Sequence, residues 1–71
     1  MVKDIGTRIS GLREAKKITR YRLAVSSGVS YSYLVALEEN KHSPSLEMIE
    51  KIASGLGTTV SKLLEESEVV K

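Results

Sequence analysis

The stretch Thr19-Arg20-Tyr21-Arg22-Leu23-Ala24-Val25-Ser26-Ser27-Gly28-Val29-Ser30-Tyr31-Ser32-Tyr33-Leu34-Val35-Ala36-Leu37-Glu38 reads as two short helices that meet at a sharp turn around Gly28. Thr19 and Ser30 are residues of the kind that begin helices, because a short hydroxyl side chain accepts a hydrogen bond from a backbone N–H two or three positions on. Gly28 lies between them and can take the positive φ that ends one helix and redirects the chain. Ala24, four residues earlier, stands where two helices leaving so short a turn must nearly touch, and a larger side chain there would hold them apart. Val29 plugs the angle, and Leu34 and Leu37 form the inner stripe of the second helix, with Tyr33 alongside as partly core. Tyr31, Ser32, Val35, Ala36 and Glu39 are left facing outward.

The flanking sequence supplies three more helices. Asp4 is a candidate N-cap for a first helix that carries Ile5, Ile9 and Leu12 on one face. That helix is expected to end near Lys16-Lys17, whose cations suit the negative end of the helix dipole. Beyond Glu38, Asn40 is a suitable residue to leave the helix in a left-handed conformation. Lys41-His42-Ser43-Pro44 makes a polar loop in which Pro44 discourages a helical Ser43. Ser45 then caps a fourth helix through Leu56, with Leu46, Ile49, Ile52 and Ala53 at core spacing and Gly57 just past its end. Thr59 starts a short fifth helix with Val60, Leu63 and Leu64 facing in. No strand pattern, repeat or linker is visible. The expected class is all-α, with a single domain over residues 1–66, the central unit at 19–38, and a frayed tail at 67–71.

Composition excludes more than it assigns. A chain of 71 residues is one domain near the lower limit for folding without covalent staples. It has no cysteine, so neither a disulfide framework nor a thiolate metal site is available. The single histidine, His42, builds no zinc centre alone, and no metal or cofactor is expected. No apolar run approaches the ~20 residues that span a bilayer. The start Met-Val-Lys-Asp lacks the apolar core of a secretory signal, so the expectation is a cytoplasmic protein without a membrane partner. No glycine-rich phosphate loop or activated carboxylate pair suggests an enzyme. The chain is too short for a separate effector domain, so no small-molecule ligand is expected. A net charge of +2 is compatible with nucleic acid without demanding it.

Two helices that cross steeply after a turn of a few residues make a helix-turn-helix, a shape whose second helix fits the major groove of DNA. The chain resembles the phage-repressor-type (Cro/C1, or XRE) helix-turn-helix family. The matching elements are Ile5…Ile9…Leu12-Arg13, Ile18-Thr19, Leu23-Ala24…Gly28-Val29-Ser30, Leu34…Leu37-Glu38…Lys41…Pro44-Ser45-Leu46 and Ile52-Ala53…Leu56-Gly57. This ordered set runs from about Ile5 to Leu64. The resemblance implies a compact five-helix, lambda-repressor-like bundle whose second and third helices form the DNA-binding unit. It also implies a transcriptional regulator, a repressor that binds duplex DNA sequence-specifically as a homodimer on a two-fold-related operator.

Carried over position by position, the resemblance places Tyr31, Ser32 and Ala36 where relatives read bases, with Val35 beside them. Thr19, Arg20, Ser30 and Lys41 fall near family phosphate contacts, and His42 and Ser43 lie in the same loop. Relatives often place at Arg20 a Gln that touches a phosphate; an Arg would do so through a charge-assisted bond. Arg13 and Glu38 match a pair that forms an internal salt bridge in relatives, which gives Glu38 a structural role. By the same analogy the fifth helix, around Val60, Leu63 and Leu64, is the expected dimer surface.

The chain also departs from the family pattern. Lys17 and Asn40 stand where Gly is common, so Lys17 is expected to carry a left-handed conformation at a cost of ~1 kcal/mol. Tyr31, Val35 and Ala36 replace the Gln, Arg, Lys or Asn of most relatives, leaving the Tyr31 hydroxyl, Ser32 and apolar contact with thymine methyls to read bases. Glu39 stands where relatives often contact a phosphate, and its carboxylate would repel the backbone. The alternative expectation is a protein-interaction module, an antitoxin or accessory regulator, using Tyr31, Tyr33 and Val35 as an apolar face of the same fold.

Overall fold

The computed structural model describes residues 5–64. They form five helices, α1 (Ile5–Ala15), α2 (Arg20–Ser27), α3 (Tyr31–Glu38), α4 (Leu46–Leu56) and α5 (Val60–Leu64), with no strand among the described residues. The candidate cap Asp4 and the tail expected at 67–71 lie outside them. No helix among the described residues is long and apolar enough to cross a membrane.

Local chemistry sets the helix boundaries. The hydroxyls of Thr19, Ser30, Ser45 and Thr59 accept hydrogen bonds from the backbone N–H groups of Arg22, Tyr33, Met48 and Lys62 at 3.1, 3.1, 3.2 and 3.1 Å. Each satisfies one of the donors that a helix N-terminus leaves unpaired. At the central turn Gly28 has φ 75°. Its N–H and that of Val29 both donate to the Ala24 carbonyl, at 2.9 and 3.1 Å, closing α2 with a left-handed cap. The same conformation falls on two residues with side chains, Lys17 (φ 58°) and Asn40 (φ 61°). Lys17 thereby stops α1 at Ala15, one or two residues short of the expected Lys16-Lys17, and the Ile18 N–H returns to the Arg13 carbonyl at 3.1 Å.

Ile9, Leu23, Ala24, Leu34, Leu37, Ile52, Ala53, Leu56 and Leu63 form the core, and Leu12, Ile18, Val29, Tyr33 and Ile49 pack around it half-buried. Burying each of the larger aliphatic side chains contributes about 1.5–3 kcal/mol. Leu46 departs from its expected core position, being 61% exposed. It is the first residue of α4, Ile49 one turn on is half-buried, and Ile52 after it is fully buried, so the helix enters the core only below its first turn.

Two glycines bring backbones together. A Cβ on Gly6 would overlap the Leu37 carbonyl oxygen and lie 2.9 Å from that of Glu38, so α1 presses directly on the end of α3. Asn40 locks this contact, accepting from the Gly6 N–H at 3.0 Å and donating to Thr7 Oγ1 at 3.2 Å. A Cβ on Gly55 would overlap Ser27 Oγ, and α4 approaches the end of α2 through this pair. Arg8 ties α5 to α1, donating from Nε to the Leu63 carbonyl at 2.7 Å and from Nη2 to that of Lys62 at 2.9 Å. These donors meet carbonyls that the end of a helix leaves free.

Candidate nucleic-acid interface

The outward side of α3 follows from the inner one. With Leu34, Leu37 and Glu38 buried, the 3.6-residue period turns Tyr31 and Ser32 to solvent and leaves Val35 and Ala36 half-buried on the flank. Tyr31 is 51% exposed. Val35 and Tyr33 are not free apolar surface, since Tyr33 packs against the core and Val35 is partly covered.

Polar groups rim this face. Thr19 and Ser30 are exposed, and although their oxygens accept the capping bonds, each hydroxyl keeps its own proton to donate outward. Lys41, His42 and Ser43 are exposed in the loop that follows α3. Lys41 Nζ lies 3.2 Å from a Glu39 carboxylate oxygen, so Glu39 holds the loop cation beside the end of α3. The His42 ring stacks on Tyr33, with centroids 5.7 Å apart and planes 16° from parallel. Stacking on a half-buried ring fixes the imidazole against α3.

Beneath the rim lies a charged cluster. The Glu38 side chain is fully buried. Its Oε2 accepts from Arg13 Nε at 2.8 Å, and its Oε1 accepts from Arg13 Nη2 at 3.2 Å and from Arg20 Nε at 2.9 Å. Arg13 Nη1 also donates to the Ile18 carbonyl at 2.8 Å, so Arg13 clamps the α1–α2 turn as well as α3. The Arg20 side chain is 35% exposed, and no hydrogen bond among the described residues engages its Nη atoms. Hydrogen bonding to Glu38 raises the Arg20 pKa above its ordinary value, with the charges of Glu38, Tyr31 and Glu39 adding to the effect against desolvation. Arg20 is therefore a cation wherever duplex DNA exists.

The Arg20–Glu38 bond was not legible in the sequence. The two residues are 18 apart, on different helices, and no helical spacing relates them. Nothing in the sequence singles out Arg20 from Arg8 and Arg22 as the second partner of Glu38. In α5 Leu63 has no exposure and belongs to the chain's own core, while Val60 and Leu64 are half-buried.

Comparison with known proteins places this geometry. A family model described as helix-turn-helix matches residues 9–63. The immunity repressor protein of Bacillus phage phi105 is 36% identical over 67 residues, covering 94% of this chain and 46% of the repressor. The restriction-modification controller protein C.AhdI from Aeromonas hydrophila superposes with a TM-score of 0.81 at 33% identity, covering 84% of this chain and 91% of the controller. The crystal structure of SinR, a master regulator for biofilm formation, in complex with DNA gives a TM-score of 0.79 at 37% identity, covering 86% of this chain and 98% of that one. The chain spans about half the length of the curated relatives it matches. With the family model covering all but the ends and these relatives sharing a third or more of their residues with it, the chain belongs to the helix-turn-helix family of the Cro/C1 (XRE) type.

Proposed function

We propose that this protein is a sequence-specific duplex-DNA-binding transcriptional regulator, a repressor that acts as a homodimer in the cytoplasm with one α3 in the major groove of each half-site. The observation that carries the reading is the outward edge of the helix-turn-helix. Tyr31 and Ser32 stand exposed at the start of α3, the hydroxyls of Thr19 and Ser30 flank them, and Arg20 stands beside them with its Nη groups unengaged.

In this reading Tyr31 and Ser32 touch base edges, and Val35 and Ala36 offer apolar contact to a thymine methyl. Thr19, Arg20, Ser30, Lys41, His42 and Ser43 meet the phosphates and set the register of the helix. Arg13 and Glu38 hold α1, α2 and α3 in one frame. A homodimer would place its two half-sites about one helical turn apart, ~10 bp.

The test is a binding selection from a randomised duplex library with the purified protein, followed by anisotropy titration of the recovered sequences. A two-fold-related motif bound well below micromolar at moderate salt is expected. Binding no tighter than the ~10⁻⁴–10⁻⁶ M typical of unspecific association would overturn the reading.

A further inference from the structure

We infer that Glu38 is a positioning residue for DNA binding, holding Arg20 by its Nε so that the Nη edge of the same guanidinium is presented to a backbone phosphate. The inference rests on the DNA-binding reading above and assigns Glu38 a part beyond bracing the fold.

The geometry of one planar group carries the argument. A guanidinium offers five N–H donors in a fixed fork, and the edge between its two Nη atoms matches two oxygens of a phosphate. A long side chain at the start of a helix ordinarily samples many rotamers, and ordering it on binding opposes affinity. Here Nε is tied to Glu38 Oε1 at 2.9 Å, while no Nη bond is made among the described residues. The tether is itself fixed, because the Glu38 side chain is fully buried and its two oxygens are held by Arg13 at 2.8 and 3.2 Å. Arg13 Nη2 also lies 3.6 Å from the exposed Glu14 carboxylate, and of the two arginines on Glu38 the more exposed is Arg20. Gly6 adds rigidity from behind, pressing α1 onto the last carbonyls of α3.

Arg13 and Glu38 would satisfy each other without Arg20. The second arginine is a cation oriented by an anion that is fully buried and that DNA cannot reach. Glu38 thus acts through Arg20 without touching the nucleic acid.

The test is a thermodynamic cycle on the full chain, measured by anisotropy with a mixed-sequence duplex of about 20 bp at several salt concentrations. The variants are Arg20→Lys, Arg20→Gln, Glu38→Gln and the double Arg20→Gln/Glu38→Gln. Arg20→Gln is expected to weaken binding about tenfold and to flatten the salt slope by about one. Arg20→Lys keeps the charge but has no second edge to offer once it meets Glu38, and is expected to recover little of that loss. Glu38→Gln makes the protein one unit more positive, so charge alone would strengthen binding; positioning requires that it weaken. In the double variant the two losses are expected not to multiply.

Side-chain ¹⁵N spectra give a readout independent of the Glu38 variants folding. On adding duplex, the Arg20 Nε–H resonance is expected to persist while the Nη signals shift. Full affinity for Arg20→Lys, multiplying losses, or unmoved Nη signals in a wild type that binds would overturn the positioning role alone. A wild type that binds no duplex would overturn the DNA-binding reading and this inference with it.

Discussion

The two faces of α3 are built under different constraints. Its inner face, Leu34, Leu37 and Glu38, is buried to the last atom or nearly so, and every polar atom of the Glu38 carboxylate has a partner in the same chain. Its outer face begins with Tyr31 and Ser32, exposed to solvent. The inner face is therefore determined by residues tens of positions away on α1, whereas the outer face is limited by little except helix geometry. A helix with such halves can hold one shape while its exposed side varies, and that separates how the domain folds from what it reads.

Removing the inner anion tests this division most severely. Glu38→Ala leaves the Arg13 guanidinium, with a side chain only 10% exposed, without its buried counter-charge and with only the exposed Glu14 carboxylate 3.6 Å away. Breaking a buried pair from one side typically costs about 3–5 kcal/mol. At roughly 0.05–0.15 kcal/mol per residue a chain of this length has roughly 4–11 kcal/mol of stability in all, so the variant is expected to lose between about a quarter and the whole of it. Urea titration followed by circular dichroism measures the loss. A cost below about 1 kcal/mol would mean that the inner face is not the constrained half.

Gly6→Ala is next in expected size. Alanine is the better helix former by roughly 0.5–1 kcal/mol, so local propensity predicts stabilisation. The new methyl would overlap the Leu37 carbonyl, a backbone atom with no rotamer to escape through. Overpacking of this kind costs about 1–3 kcal/mol or more, and a net destabilisation of about 2 kcal/mol is expected in the same titration. The Leu37 backbone amide should shift in NMR spectra, since α3 must move to make room. Stabilisation instead would show that α1 and α3 are not locked where they touch.

What could be read from the chain follows the range of the interaction concerned. Thr19, Ser30, Ser45 and Thr59 announce their helices because a cap is chemistry between residues two or three apart. Leu23, Leu34, Leu37 and Ile52 announce the core because burial leaves a periodic trace on a helix. Gly6 and Gly55 leave no such trace. Each is small because of a neighbour on another helix, the Leu37 carbonyl for Gly6 and Ser27 for Gly55, a fact that exists only after the helices are docked. The family resemblance marks Arg20 as a phosphate ligand, whereas its Nε bond to Glu38 belongs to the same class of long-range fact. Leu46 shows the opposite failure, where periodicity marked a core position that lies past the end of the core.

The smallest expected change in stability is at the other face. Tyr31 is 51% exposed and, among the described residues, its hydroxyl makes no hydrogen bond, so Tyr31→Ala removes little packing while adding a better helix former at the first position of α3. Its stability is expected to stay within about 0.5 kcal/mol of wild type, as for surface positions in general. The effect should appear in binding. Against a selected operator the variant is expected to lose discrimination at one or two base pairs, by about 1–3 kcal/mol at each position where a direct contact disappears, while its affinity for mixed-sequence duplex changes little. Ser32→Ala should behave in the same way at neighbouring base pairs. If either substitution instead weakened all duplexes equally, the outer face would be reading the backbone, and base selectivity would have to come from the shape and deformability of the site.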